Sequence, residues 1–549
     1  MRAATVTASM ALLCGAASAV DCKNLPVWTA GAVFTAGQQT QETGKAYAAN
    51  WWTQGQSPAA NSGPWSVWKP LGACDGGTPP GGNAAPVANF TSAVDRLSVR
   101  FDGAASTDAD GRVTAWRWDF GDGASASGSS ITHAYAKAGT YPVTLTVTDD
   151  KGATGTRAQS LTLGTITRDP NTGKWQLRDA DLKAAEARLT DTPLFAAVRA
   201  SIATRSNAVV DAVTPGHANN PENVKRVERL VPQSQWDFLF PLRNASYTYT
   251  GFLRAIAKFA GVCATYGDGR NADAVCRKTL ATMFAHFTQE TGAHDRNNAI
   301  PEWRQALYFV REAGCTETGQ GCPYNAECDP ATWQGQAWPC GKDAQGRFRQ
   351  YFGRGAKQLS YNYNYGPFSD AMFGDVRVLL NAPEQVADTW LNLASALFFY
   401  AYPAAPKPSM LHVVDGTWKP NAKDASLGIK PGFGATTNVI NGGIECGQGG
   451  AEKPQSANRI AYYRQHAAAL GVPIAADEEL GCANQKRFEV GGAGALDIYW
   501  DQDWAYYPDL PEGKSFACKL VGYQTAHSAL KSGDYRRCVE KYFDVTVVP

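Results

Sequence analysis

Residues 75–86 read DGGTPPGGNAAP, a run that no hydrophobic core can absorb. Glycine loses much backbone freedom on ordering and proline removes a backbone donor, so such a run acts as a flexible tether. A second break in composition falls over residues 164–173. The 549-residue chain is therefore divided before any fold is considered. The expected parts are a leader over residues 1–19, a small module over 20–74, a linker over 75–84, a second module over 85–163, and a large domain over 164–549.

Met1-Arg2, a small and apolar stretch to Leu13, and Ala17-Ser18-Ala19 together read as a secretory signal cleaved after Ala19. Cys14 raises a lipoprotein reading, which Leu13 disfavours because it is too large for a good lipobox. No later stretch of about 18 apolar residues follows, so no membrane span is expected. The chain has 13 cysteines, and losing Cys14 with the leader leaves an even number. In an exported protein an even count suggests disulfides. Local spacing suggests Cys22–Cys74, Cys263–Cys276, Cys315–Cys322, Cys328–Cys340, Cys446–Cys482 and Cys518–Cys538, although spacing alone leaves other connectivities open. A zinc site is the rival, but there is no paired CxxC and no HExxH, so no metal is expected. A secreted, extracellular, monomeric protein is the expectation.

Charge excludes some partners. The 51 Lys and Arg are balanced by 50 Asp and Glu, so there is no electrostatic footprint for nucleic acid or an anionic membrane. The substrate or partner should be neutral. Aromatics make up 11% of residues, with 16 Trp, which suits a sugar binder because indole faces stack on the C–H faces of pyranose rings. Most of the sixteen are nonetheless expected in cores.

The first module carries Tyr47-Ala48-Ala49-Asn50-Trp51-Trp52-Thr53-Gln54-Gly55, then Trp65 and Trp68. Its apolar positions are few, so a disulfide joining its ends suits so small a core. Adjacent residues of a strand point to opposite faces, which would make one of Trp51 and Trp52 core and leave the other to solvent. The alternative is that both are core. The stretch resembles the chitin-binding module of carbohydrate-binding family 5/12, marked by A-x-W-W-T-Q-G. The resemblance implies a small β module that binds chitin through Tyr47, Trp51, Trp52 and Trp65.

In the second module, Ser98 to Phe101, Thr114 to Trp118 and Tyr141 to Val147 alternate as strands do. Asp119-Phe120-Gly121-Asp122-Gly123 supplies a turn. With His133-Ala134-Tyr135 and Gly139-Thr140-Tyr141, this resembles a polycystic-kidney-disease-type (PKD) domain, an immunoglobulin-like β-sandwich, which implies a spacer without chemistry. Calcium ligation by Asp119 and Asp122 is the rival to a turn-forming role. The large domain reads mainly helical, with helical spacing at Phe252 to Phe259, Ala274 to Thr288 and Leu391 to Tyr400.

Glu290 ends an apolar helical stretch just before Gly292, and Glu312 lies in Leu307-Tyr308-Phe309-Val310-Arg311-Glu312-Ala313-Gly314. Aromatic surroundings raise a carboxyl pKa, and an adjacent cation holds a carboxylate ionised. Tyr351-Phe352-Gly353-Arg354-Gly355-Ala356-Lys357-Gln358-Leu359-Ser360-Tyr361-Asn362-Tyr363-Asn364-Tyr365-Gly366 sets amides, hydroxyls and phenols between glycines, as do the residues from Asn438 to Cys446. These groups suit sugar hydroxyls and acetamides. Both stretches resemble signatures of the glycoside hydrolase family 19 chitinases. So do Pro431-Gly432-Phe433-Gly434, Trp338-Pro339-Cys340 and Arg459-Ile460-Ala461-Tyr462-Tyr463.

That resemblance implies a lysozyme-like, mainly α-helical fold and an inverting endochitinase that needs no cofactor. It implies Glu290 as general acid, Glu312 as general base and Ser360 as a holder of the attacking water. Trp338, Gln358, Tyr363, Asn364 and Asn441 would line sugar subsites, with Glu445 and Arg459 as a charged network beside Glu290. The expected partners are chitin and its oligosaccharides. One departure is Gln289, where the family usually has His. The rivals are a peptidoglycan-cutting lysozyme or endolysin and a noncatalytic chitin-binding protein.

Overall fold

The computed structural model describes residues 20–63, 65–74, 83–95, 97–163, 166–317, 322, 324–508 and 510–549. The expected signal peptide and residues 75–82 of the expected linker lie outside the described residues. The chain divides into two units, Met1–Leu163 and Gly164–Pro549. All six disulfides suggested by spacing are formed. No helix among the described residues is long and apolar enough to cross a membrane.

In the first unit, Gln39–Glu42, Lys45–Ala49 and Trp68–Ala73 pair antiparallel, with Lys45–Ala49 in the middle. Phe34, Tyr47, Ala49 and Trp68 form the core. A core of four side chains supplies little stability, and Cys22–Cys74 ties the ends of the module together. Two expectations are corrected here. Trp51 and Trp52 do not divide between core and solvent, since they are 50% and 61% exposed. The alternation rule fails because the strand stops at Ala49 and the next begins at Thr53, so neither Trp lies in a strand. Trp68 takes the core position, its Nε1 donating to the Gln56 carbonyl at 2.7 Å. Tyr47, expected as a chitin contact, is buried on the central strand and supports the module from within. Trp65 is exposed.

The rest of the unit is a sandwich of a three-stranded and a four-stranded antiparallel sheet. The strand Gly139–Asp149 buries Val143, Leu145 and Val147 and turns the residues between them outward. Trp118 fills the core, and its Nε1 donates to the Gly128 carbonyl at 2.8 Å. Asp119 and Asp122 accept the N–H groups of Gly121 and Ala124 at 2.9 and 3.0 Å, the work of turn-forming acids. Asn83 Nδ2 donates to Asp149 and the Ala84 N–H to Asp110, which ties both residues to the sandwich.

The second unit is built round a buried helix, Ala272–Thr291. Asn271 caps it, its side chain accepting the N–H groups of Asp273 and Ala274. Pro454–Ala469 and Met410–Asp415 pack against it. In its middle, Phe284 meets Phe240 at 5.0 Å and Phe252 at 6.0 Å between ring centroids. The expected helical stretches coincide with Tyr249–Lys258, Ala272–Thr291 and Leu391–Ala401, except that Phe259 caps the first helix in an extended conformation.

The two ends of this unit meet. Trp175–Arg178 pairs in parallel with Val545–Val548. Leu177, Leu182 and Phe195 share a second core with Trp500, Phe516, Tyr535 and Phe543. Residues before and after the helical body thus form one small subdomain, closed by Cys518–Cys538.

Candidate active site

Glu290 stands in the last turn of Ala272–Thr291, and its side chain is 19% exposed. Arg459, from the middle of Pro454–Ala469, places Nη2 at 2.5 Å from Glu290 Oε1. The same guanidinium grips Glu445, with Nε to Oε2 and Nη2 to Oε1 both at 2.9 Å. Asn441 Nδ2 donates to Glu445 Oε1 at 2.8 Å. Arg459 and Glu445 are both buried, and a buried ion pair persists only where its remaining hydrogen-bonding capacity is met.

His286, one turn before Glu290, meets part of that need. Burial first, then the Arg459 charge, push its pKa well below the usual histidine range, so the ring is neutral. Arg459 Nη1 lies 3.1 Å from His286 Nδ1, and a guanidinium can only donate, so Nδ1 accepts. The proton therefore sits on Nε2, which donates to Thr436 Oγ1 at 3.0 Å. Thr436 in turn donates to the Phe433 carbonyl at 2.7 Å.

A second cation acts on Glu290. Lys357 Nζ is 3.7 Å from Oε2 and 4.6 Å from the centroid of the Phe399 ring. Burial is the largest influence on Glu290 and pushes its pKa up, but the charges and hydrogen bonds of Lys357 and Arg459 together outweigh it. The net result lies below the usual glutamate range, so the resting carboxyl is ionised at neutral pH.

Glu312 is held differently. Its N–H donates to the Gly353 carbonyl at 2.8 Å, and the Gly353 N–H returns a bond to Oε2 at 2.9 Å. A Cβ at residue 353 would lie 2.8 Å from Gln358 Oε1 and 3.2 Å from Glu312 Oε2, so a larger residue would displace the Gln358 amide and crowd the clip. The Tyr324 hydroxyl donates to Oε1 at 2.7 Å. Burial and then Glu312 push Tyr324 up to about 12, so it remains a phenol donor. Buried Arg354 pins the glycine-rich loop, lying 3.7 Å over the Phe352 ring and pairing with Glu317. The cation next to Glu312 in sequence does not serve it. Arg311 bonds Glu317 at 3.1 Å and Asp388 at 2.5 Å instead.

Ser360 and Gln358 share that loop, with Ser360 Oγ donating to the Gln358 carbonyl at 3.0 Å and Gln358 Nε2 to the Gly355 carbonyl at 3.0 Å. Asn364 is exposed and donates to the Ser360 carbonyl. Tyr363 stacks on Tyr361 at 5.1 Å.

One expected sugar contact is corrected. Trp338 is buried, with its indole pressed against Gly366, where a Cβ would come within 2.4 Å, so it belongs to the core. Glu445 and Arg459, expected as a charged network beside Glu290, are too buried to touch a ligand and meet Glu290 through the Arg459 guanidinium. The Asn441 amide nitrogen is committed to Glu445. Sequence reading missed His286, Tyr324 and Lys357. Lys357 lay inside the glycine-rich signature and His286 inside the helix that carries Glu290, whereas Tyr324 stood in a cysteine-rich loop with no distinguishing signal.

A carboxyl clamped by cations and a second one held by a phenol and a peptide N–H form the equipment of a glycoside hydrolase. Residues 240–482 match the family model for chitinase class I, glycoside hydrolase family 19, and residues 83–163 match the PKD domain. Neither match reaches residues 20–74. Endochitinase B of Nicotiana tabacum is 35% identical over 276 residues, spanning 48% of this chain and 74% of that protein. Endochitinase 2 of Solanum tuberosum is 37% identical over 247 residues, spanning 45% of this chain and 69% of that protein. The crystal structure of chitinase C from Streptomyces griseus aligns at 18% identity over 83% of this chain and 100% of that chain, with a TM-score of 0.34, too low to add to the assignment. The chain belongs to the glycoside hydrolase family 19 chitinases. It joins that family's lysozyme-like helical domain to a PKD β-sandwich.

Proposed function

We propose that this protein is a secreted endochitinase that cuts β-1,4-linked N-acetylglucosamine polymers by a single, inverting displacement. The observation that carries this reading is the differently held carboxyl pair, Glu290 on Arg459 and Lys357 and Glu312 on Tyr324 and Gly353, in a chain 35% identical to a plant endochitinase. Export is supported by the signal-like N-terminus and by six disulfides, which persist in oxidising compartments.

In this mechanism Glu290 protonates the glycosidic oxygen while Glu312 draws a proton from a water attacking the opposite face of the sugar. An inverting displacement requires the two carboxyls to stand about 6.5–9.5 Å apart, leaving room for that water. Tyr324 and the Gly353 N–H orient the base, and the Ser360 oxygen keeps lone pairs free to accept from the water. No step calls on a metal or cofactor.

Glu290 must carry a proton to act, yet the resting site favours its carboxylate. A bound sugar tips the balance by deepening burial, which already pushes upward, and by drawing off Lys357. Lys357 is the movable cation, since Arg459 is locked by Glu445 and His286.

The exposed Trp51, Trp52 and Trp65 give the first module a platform for pyranose faces. Tethered binding of that kind raises the local substrate concentration without new catalytic contacts.

The test is release of reducing sugar from chitin, chitosan and peptidoglycan in parallel, with Glu290→Gln as control. Chitin should be cut, and Glu290→Gln should lose at least about 10²-fold, the usual worth of general acid catalysis. Preferential cutting of peptidoglycan would make the protein a lysozyme. Release from none would make it a noncatalytic binder.

A further inference from the structure

A row of aromatic rings leads away from Glu312 and ends on a residue to which no role has been given. Tyr324, whose hydroxyl holds Glu312, sets its ring 5.0 Å from Tyr361. Tyr361 stacks on Tyr363 at 5.1 Å and 14°. Tyr363 meets Trp333 at 6.4 Å and 37°. Trp333 is 49% exposed, while the three tyrosines are partly covered.

A single exposed tryptophan is ordinary. This one differs in how firmly it is held. It opens the one-turn helix Trp333–Ala337, capped by Thr332, whose Oγ1 accepts the Gly335 N–H at 3.0 Å. Cys328–Cys340 closes the chain on either side of that helix. Tyr363 is steadied in turn by Gln524 of the C-terminal subdomain, whose Nε2 donates to its carbonyl at 2.7 Å. Gln524 lies beyond residue 482, where the match to the family ends.

We infer that Trp333 is the outer end of an extended sugar-binding groove and stacks on one N-acetylglucosamine ring of a chitin chain, remote from the bond being cut. The inference rests on the chitinase reading and adds a binding position to it. The occupant is a neutral pyranose for two reasons. The indole is continuous with the rings that lead from Glu312, and a polymer threaded past Glu312 along that row arrives at it. A large flat apolar face held rigid in water also loses little conformational freedom when a sugar's C–H face covers it.

Such a contact is the same in ground and transition states, so it lowers KM for substrates long enough to reach it and leaves kcat alone. The test compares wild type, Trp333→Ala and Trp333→Phe on the tetramer and hexamer of N-acetylglucosamine, with a melting curve for each. For Trp333→Ala, KM for the hexamer should rise roughly three- to tenfold. Its kcat should hold, its tetramer kinetics should match wild type, and Trp333→Phe should recover part of the loss. An equal effect on both lengths, or none on the hexamer, overturns the inference while leaving the chitinase reading intact. A wild type that cuts neither oligosaccharide overturns both.

Discussion

Replacing Lys357 with methionine keeps the length of the side chain and removes one of the two cations on Glu290. The lost partner is Nζ at 3.7 Å from Oε2, with both side chains 19% exposed. At that separation two unit charges attract by roughly 4 kcal/mol at an effective dielectric near 20, and by about 1 kcal/mol in bulk water. The operative value lies between these limits, because the pair is neither dry nor fully solvated. Its sign follows from the role of the group. Glu290 works as an acid only while protonated, and Lys357 favours the unprotonated form. Without Lys357, burial is opposed by Arg459 alone, proton affinity rises, and the alkaline limb of the kcat/KM profile moves to higher pH. Folding stability follows the same linkage. A carboxyl whose folded pKa is lowered adds stability above the usual glutamate range, and that stability is lost as pH falls through the lowered value. The variant should therefore be less stable at neutral pH and lose less on acidification. The assay is kcat/KM on a soluble chitin oligosaccharide from about pH 4 to 9, with melting curves at the same points. An alkaline limb that stays in place or moves down would refute the argument that Lys357 governs the proton on Glu290.

Three further perturbations test neighbouring parts. Arg459→Met strands Glu445 in the interior without its partner, and breaking a buried pair in this way costs about 3–5 kcal/mol. A large fall in Tm with loss of activity is expected, and an unchanged Tm would mean the network holds nothing together. Tyr324→Phe deletes the hydroxyl on Glu312 Oε1, a hydrogen bond to a charged group worth about 1.5–3 kcal/mol, and should lower kcat with little change in KM. A KM effect alone would place Tyr324 in sugar binding only. In the first module, Trp51→Ala and Trp52→Ala should each weaken retention on chitin beads without unfolding, since both rings are exposed, whereas Trp68→Ala should melt the module. Deleting residues 20–82 should cut activity on insoluble chitin and spare soluble oligosaccharides. Equal activity on both would remove the module from the account.

Much of this molecule was legible in its residues, and the gaps have physical causes. Alternation marked the sandwich strands, because that signal acts locally along the chain. The six disulfides followed spacing because each closes a loop of at most 52 residues. Glu290 and Glu312 were singled out through neighbouring motifs. The resemblance also put Arg459 and Glu445 beside Glu290, although Arg459 reaches it from 169 residues away, whereas Tyr324, 12 residues from Glu312, and Lys357 were missed. Motif membership also misled at Trp338, which stands in a signature because it packs on Gly366. Strand alternation misled at Trp51 and Trp52, where the strand ends two residues too early. The pairing of Trp175–Arg178 with Val545–Val548 joins strands more than 350 residues apart, and no local signal encodes such a contact.

The central claim is that Glu290 and Glu312 act as acid and base on opposite faces of one sugar. Proton NMR of a chitin hexasaccharide digest, recorded before the products mutarotate, tests it most directly. The new reducing ends should appear first as the α-anomer with wild type, and both Glu290→Gln and Glu312→Gln should yield almost none. Reducing ends appearing first as the β-anomer would show a retaining reaction and contradict the account.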